Sequence, residues 1–395
     1  MAGDARAGAL SRAGSHARLD EDDVRIRPGR GSRPRTRRRP AHEDAVDAFV
    51  TGVDRGRYRC WLGDRTVTAM KARELGRRGV VVGDRVALAG DVSGQPGTLA
   101  RVVRVQPRTS VLRRSAEDDD PTERIIVANA DQLVIVTALA NPPPRPRLID
   151  RFLVAAFDAG LEPLLCLTKA DLASPAELLA AYEPLGIRAI ALSRPFGGQL
   201  DRLRALLAGR ISVLVGHSGV GKSTLVNALL PTAARAVGEV SPVTGRGRHT
   251  SSSAVALPLP PWPLRTDSAD SEAGDRFPPE PAGAMPAEPA TAETAIDTTT
   301  ASGWIIDTPG LRSFGLGHVA ADRVISAFPE FADAVAQCPP GCSHLAAGCA
   351  LDEWTAAHGG PAATARLDSL RRLLRSREGP DRVDPDEPGQ AGPTE

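Results

Sequence analysis

The chain has 395 residues, 42% of them apolar and 25% charged, with a formal net charge of +1. That length allows two or three domains with cores of their own, and the composition is neither collagen-like nor that of a disordered chain. No apolar run approaches a membrane span, and the Arg-rich N-terminus lacks the apolar core of a secretory signal, so the expectation is a cytoplasmic protein without a membrane partner.

The near-neutral total hides a segregation of charge. Val24 to Arg39 ("VRIRPGRGSRPRTRRR") holds eight Arg and no acid, whereas the final "DRVDPDEPGQAGPTE" is acidic and rich in Pro and Gly. Only Lys71, Lys169 and Lys222 are lysines among 49 basic residues. Two of the three fall inside the motifs described below, where a compact ammonium and a planar guanidinium are not interchangeable.

Residues 1–42 are polar and aperiodic and read as a disordered arm. Residues 43–112 carry five short strand-like runs between Gly and Asp turns ("DAFVTGV", "RYRCWLG", "RTVTAMKA", "DRVALAG", "TLARVVRV"). This is the pattern of a small β-barrel, OB-fold-like or SH3-like. From 120 to 318 the texture becomes α/β. "QLVIVTAL" and "PLLCLTKA" are near-continuous apolar runs, as in strands covered on both faces, and "LIDRFLVAAFDAG" between them has helical spacing. A doubly wound parallel sheet is predicted. Cys60 and Cys166 lie singly in such runs and read as buried core thiols.

"TKAD", Thr168, Lys169, Ala170 and Asp171, ends one predicted strand. An Asp there can accept the N1–H and N2–H₂ of guanine, a donor pair that adenine does not offer, while Lys169 lays its stem over the ring. Alone, the four residues could equally cap a helix. "ALS", Ala191–Ser193, is where a backbone contact to guanine O6 could arise. "GHSGVGKST" then supplies Gly216, His217, Ser218, Gly219, Val220, Gly221, Lys222, Ser223 and Thr224 between a strand and a helix, the context a phosphate loop requires. Its backbone N–H groups and the helix dipole favour phosphate. Lys222 should reach the β- and γ-phosphates, and Ser223 should ligate Mg²⁺.

"GRGRHTSS", Gly245–Ser252, is a Gly/Arg segment ending in hydroxyls. Thr250 is the first candidate for a further Mg²⁺ ligand and Ser251 the second. Residues 259–302 are Pro/Ala/Glu/Thr-rich and read as a disordered insertion in a hairpin tip. Lengthening such a loop to more than forty residues costs only roughly 2 kcal/mol of closure entropy. "DTPG" follows: Asp307 is placed to hold Mg²⁺ through water and the Gly310 N–H to sense the γ-phosphate. Next comes Leu311, where many GTPases carry a water-orienting Gln. Leucine cannot do this, and His249 is the candidate replacement, with an ordinary solvated loop histidine as the alternative. The motif order, TKAD before the phosphate loop, is that of a G-domain cut before its base-reading strand and rejoined at its old ends.

Residues 319–378 turn helical around "CPPGCSHLAAGC". Cys338, Cys342, His344 and Cys349 make a closed tetrahedral set for one structural Zn²⁺ per chain, with redox-active thiols as the alternative. On "TARLDSLRRLLRSRE", Leu367, Leu370 and Leu374 form a core stripe, leaving Arg366, Arg371, Arg372 and Arg375 for solvent or RNA. Residues 379–395 read as a disordered acidic tail.

Permuted G-motifs, a barrel behind a basic arm, and a Cys-Cys-His-Cys knuckle together resemble one family, the ribosome small-subunit-dependent GTPase A, over about Val24 to Glu378. The resemblance implies a circularly permuted GTPase, a monomer, that binds the small (30S) ribosomal subunit and its rRNA late in assembly. It implies slow GTP hydrolysis stimulated by that particle, with His249 acting in the stimulated reaction. The family's usual spacing is C-x4-C-x-H-x5-C; here both outer gaps are one residue shorter. An RNA-binding assembly scaffold in which GTP only regulates docking is the alternative of a different class. A P-loop ATPase or kinase is disfavoured by TKAD.

Overall fold

The computed structural model describes residues 42–76, 79–115, 123–230, 254–260, 303–308, 315–346, 348–358 and 360–377. The Arg-rich arm, most of the 259–302 insertion, the acidic tail, and His249, Thr250, Ser251, Gly310 and Leu311 lie outside them.

Strands β1 (Val46–Asp54), β2 (Arg57–Leu62), β3 (Arg65–Lys71), β4 (Arg85–Gly90) and β5 (Ala100–Val105) run in the order β1-β2-β3-β5-β4, and β4 returns to β1 to close a barrel. The β3–β5 pair is parallel and the others antiparallel. That closure selects the OB-type barrel over the SH3-like alternative. Alternation builds its interior: Tyr58 and Cys60 on β2 and Val67 and Ala69 on β3 point inward while Arg59, Thr66 and Thr68 face water. Arg55 and Gly56, with φ of 46° and 80°, make the tight β1–β2 turn, a backbone that twists with the strands.

The second sheet comprises β8 (Gln132–Ala138), β9 (Glu162–Thr168), β10 (Arg188–Leu192), β11 (Ile211–Val215), β12 (Val255–Pro258) and β13 (Trp304–Asp307), ordered β10-β9-β8-β11-β13-β12. All neighbours are parallel except β12 and β13. Every residue of β8 is buried. Its alternate side chains feed opposite layers: Leu133 and Ile135 join the core under α1 (Pro146–Ala159), and Val134 and Val136 join the core under α3 (Gln199–Leu207) and α4 (Lys222–Leu229). Helix α1 ends where Gly160 takes a left-handed φ of 66°. The chain lays β9 and β10 to one side of β8 and then returns to place β11 on the other. This reversal opens a crevice at the carboxyl ends of β8 and β11, where ligands of such sheets bind.

A two-stranded ladder, β6 (Val111–Ser115) with β7 (Glu123–Ala128), stands between barrel and sheet. The barrel also meets the sheet directly. Gly52 pairs with Val255 on β12, and Phe49 packs on Trp304 with ring centroids 4.8 Å apart. Nearby, the fully buried Asp84 takes a two-pronged bond from Arg108, Nε to Oδ1 at 2.7 Å and Nη2 to Oδ2 at 2.9 Å. The hairpin β12–β13 runs in register from Val255↔Asp307 to Pro258↔Trp304. Leu259, expected inside the disordered insertion, instead donates from its N–H to Gly303 O at 2.9 Å and is buried with the α3–α4 layer.

Helix α2 (Ala176–Tyr182) follows β9, and α5 (Ala321–Ile325), α6 (Ala332–Val335), α7 (Ala350–His358) and α8 (Pro361–Arg377) complete the described chain. Leu367, Leu370 and Leu374 are buried as expected, but three of the four arginines left for solvent or RNA are not free. Arg366 bonds Glu330 at 2.5 Å and Pro184 O at 2.7 Å, and Arg371 bonds Asp352 at 2.8 Å. Arg372 lies over the Tyr182 ring at 4.7 Å and bonds Asp150 at 3.2 Å. Of the four, Arg372 alone reaches α1, Arg366 and Arg371 bind other segments around α8, and only Arg375 is exposed.

Candidate functional site

Four strand ends converge on the crevice. β11 leads into the Gly216–Gly221 loop, β9 into Thr168–Asp171, β10 into Ser193–Arg194, and β13 ends on Asp307. The loop bends where only glycine fits: a Cβ on Gly216 would lie 2.2 Å from Val136 O. Gly221, with a φ of 97°, starts α4, and Ser223 and Thr224 stand exposed in its first turn.

The two half-sites quoted from distant parts of the sequence are stitched together. The buried Thr168 Oγ1 donates to Val220 O at 2.6 Å. Lys169, in left-handed backbone (φ 60°), sends Nζ to Gly219 O at 3.2 Å and to Asn141 O. Thr168 thus ties the end of β9 to the Gly216–Gly221 loop. Ala170 N–H bonds Leu192 O at 3.1 Å, which ties the Thr168–Asp171 turn to β10. Asp171 Oδ1 accepts from the Arg194 N–H at 3.2 Å. The Ser193 N–H is taken by Gln199 Oε1 at 2.7 Å. The backbone donor beside the Asp171 carboxylate therefore belongs to Arg194, one residue beyond the "ALS" singled out in the sequence. The only signal for it was the loop "RPFGG" that follows.

Lys222 is 8% exposed, and its Nζ bonds Gly216 O at 2.8 Å and approaches His217 O at 3.5 Å. Burial pulls its pKa down and Asp307 pushes it up; burial raises Asp307 and Lys222 lowers it. Asp307 Oδ1 is buried and has no hydrogen-bond partner among the described residues. A polyanion beside Lys222 and a hydrated cation beside Asp307 would each offset the burial cost, so these residues fit a Mg²⁺–nucleotide. Thr308, next in the chain, anchors β13 to β11 through Oγ1 to Leu214 O at 2.7 Å. His217 is half-buried, with Nδ1 2.8 Å from Ser218 O.

The Cys/His residues meet at a second place. One ligand atom each from Cys338, Cys342, His344 and Cys349 lie within 4.8 Å of one another. Cys349 Sγ is 3.4 Å from Cys338 Sγ, 3.8 Å from Cys342 Sγ and 3.5 Å from His344 Nδ1. Tetrahedral zinc with Zn–S of about 2.3 Å and Zn–N of about 2.0–2.1 Å sets ligand edges of roughly 3.8 and 3.5 Å. The donor set fits that ion. The shortened gaps close through left-handed turns at Gly341 (φ 78°), His344 (φ 60°) and Gly348 (φ 81°).

Residues 105–264 match the family model described as RsgA GTPase. A Pseudomonas aeruginosa (strain LESB58) protein named "Small ribosomal subunit biogenesis GTPase RsgA" is 38% identical over 305 residues, covering 75% of this chain and 76% of that protein. One of the same name from Gemmatimonas aurantiaca is 35% identical over 320 residues, covering 79% and 90%. The fold is similar to that of YjeQ from Thermotoga maritima, with a TM-score of 0.55 and 22% identity over 85% of this chain and 99% of that one. It is also similar to that of YloQ, titled a circularly permuted GTPase, with a TM-score of 0.53 and 18% identity over 86% and 98%.

Proposed function

The chain belongs to the RsgA GTPase family and is a GTP hydrolase; from that premise we propose that it binds the small ribosomal subunit and assists its late maturation, with slow hydrolysis stimulated by the particle. The observation that carries the nucleotide reading is the bond from Thr168 to Val220, which fixes a guanine-reading carboxylate and a phosphate loop as one pocket.

In this reading Asp171 accepts from guanine N1–H and N2–H₂, and the Arg194 N–H, released from Asp171, turns to O6. Lys169 covers the ring. Residues Gly216 to Thr224 surround the phosphates with N–H groups, and Lys222 neutralises the terminal ones. Ser223, Asp307 and Thr250 would hold Mg²⁺, which spreads the negative charge developing on the phosphoryl oxygens. Gly310 senses the γ-phosphate, and His249 orients the attacking water in place of a Gln. Cys338, Cys342, His344 and Cys349 hold one zinc that shapes the C-terminal helices. The Arg-rich arm contacts rRNA phosphates, so binding weakens steeply with salt. No helix among the described residues is long and apolar enough to cross a membrane; a cytoplasmic monomer suits the role.

Asp171→Asn removes two charge-assisted acceptors, and GTP affinity is expected to fall by a hundredfold or more, about 3 kcal/mol. Xanthosine triphosphate, whose C2 carbonyl can accept from the new amide, should bind the variant better than GTP does. Equal GTP and ATP affinity in the wild type would remove the base assignment.

The decisive measurement is GTP turnover titrated with purified small subunits, wild type against His249→Ala. Stimulation of the wild type is expected, with most of it lost in the variant. Absence of stimulation in the wild type favours the scaffold alternative, in which nucleotide only regulates docking.

A further inference from the structure

Lys169 Nζ donates to two carbonyls that come from separate elements. One is Gly219 O of the phosphate loop, at 3.2 Å, and the other is Asn141 O, in the loop that joins β8 to α1. Asn141 has left-handed backbone with a φ of 48°, as Lys169 has with a φ of 60°. Asparagine and glycine tolerate that region, and β-branched residues strain in it. The conformation has a local result: it turns the Asn141 carbonyl onto the Lys169 ammonium.

The loop is fixed at both ends, which gives that carbonyl a defined place. Before Asn141, the Leu139 N–H donates to Thr168 O at 2.9 Å and ties the end of β8 to the end of β9. After it, Pro146 O at the start of α1 accepts from the Tyr182 hydroxyl at 3.1 Å. Pro142, Pro143 and Pro144 follow Asn141 and restrict the backbone between these anchors. Pro142 Cδ stands 3.6 Å from where a Cβ on Gly219 would lie, so the loop backs the phosphate loop beside the second carbonyl. Asn141, Lys169 and Gly219 together bridge the β8–α1 loop, the Thr168–Asp171 turn and the phosphate loop.

We propose that Asn141 is a positioning residue for the guanine nucleotide: its carbonyl, with that of Gly219, holds the Lys169 stem across the base and so lengthens the lifetime of the bound nucleotide. The inference rests on reading Lys169 as the cover of the guanine ring. A lysine stem has many rotamers, and a ligand that must order them binds less tightly for it. With Nζ held on two carbonyls of the protein itself, that ordering is met in folding. The ammonium is only half-buried, so water competes for it and the effect of losing one carbonyl is moderate. Asn141 acts through Lys169, not by touching the base.

The test is the rate at which a fluorescent GDP analogue leaves the full chain when chased with excess GDP. The proteins compared are wild type, Asn141→Val, Asn141→Gly, Lys169→Met and the Asn141→Val/Lys169→Met pair. Lys169→Met keeps an apolar stem and removes the ammonium; it is expected to speed release by about tenfold, and Asn141→Val by about fivefold. Asn141→Gly should stay within about twofold of wild type, because glycine holds the left-handed turn. The pair should release no faster than Lys169→Met alone, since both changes act through one contact. Asn141→Ala replaces the valine variant if that one does not fold, and is read by the same criteria. Release within twofold of wild type in Asn141→Val overturns the proposal. So do additive effects in the pair, which would mark a general structural role, and so does a glycine variant as fast as the valine one. Unchanged release in Lys169→Met would instead overturn the reading of Lys169 as the cover of the base, and this inference with it.

Discussion

Lys222→Ala is expected to lower kcat/KM for GTP by about 10²–10³, equivalent to roughly 2.7–4 kcal/mol of transition-state stabilisation. The size follows from where the ammonium sits. It is buried on the Gly216 carbonyl, in surroundings that already pull its pKa down, so solvent cannot replace it. Removing it takes away the ammonium seated on Gly216 and leaves Asp307 without its compensating charge. Lys222→Arg should recover little: the chain uses Arg almost everywhere else, yet a planar fork cannot take the place of a point charge seated on Gly216 O. Single-turnover hydrolysis together with equilibrium binding of a fluorescent GTP analogue checks both variants. Turnover within threefold of wild type in Lys222→Ala would show that the phosphates lie elsewhere.

Removing the metal is expected to have the largest effect on stability. Cys349 is the hub of the four ligands, and the knuckle it closes is held from outside by α8: Arg371 Nε donates to His344 O at 3.1 Å and pairs with Asp352, which accepts from the Gly348 N–H at 3.0 Å. Loss of zinc, by chelation or in Cys349→Ala, therefore loosens the seat of α8 on α1. The module is not metal-dependent throughout, because Phe328, Phe331, Leu351 and Leu370 bury an apolar core continuous with that under α1. The expected outcome is a partial one. A loss of about 5 kcal/mol would lower Tm by about 10 °C, with GDP affinity little changed. Elemental analysis and calorimetry of wild type and variant test it. A metal-free wild type with its C-terminal helices intact would dismiss the zinc assignment.

What could be read from the sequence was whatever a few adjacent residues determine by themselves. Gly216 to Thr224 encode a backbone shape, Thr168 to Asp171 a strand end with a carboxylate, and the Cys/His spacing a chelating loop. Strand patterning alone suggested a barrel, but closure between β4 and β1, which selects its type, is a non-local fact. The failures have one cause. Arg372 and Asp150 are 222 residues apart, and Arg366 and Pro184 are 182 apart. A charged helix face that packs on a distant helix has the same local pattern as one that faces water or RNA. Arg194 was missed for a related reason: a backbone N–H has no side-chain signature, and only the fold shows which one faces Asp171.

The two ends of the β12–β13 hairpin have different obligations. At Val255↔Asp307 it presents a carboxylate to the crevice; at Pro258↔Trp304 it opens toward residues 261–302. Three residue steps, about 10 Å of extended chain, separate the two. The Leu259–Gly303 bond seals the distal root like a clasp. The extra sequence joins the described chain at this end of the hairpin, and Asp307 lies at the other. A change in the length of that segment is therefore separated from Asp307 by the paired strands themselves.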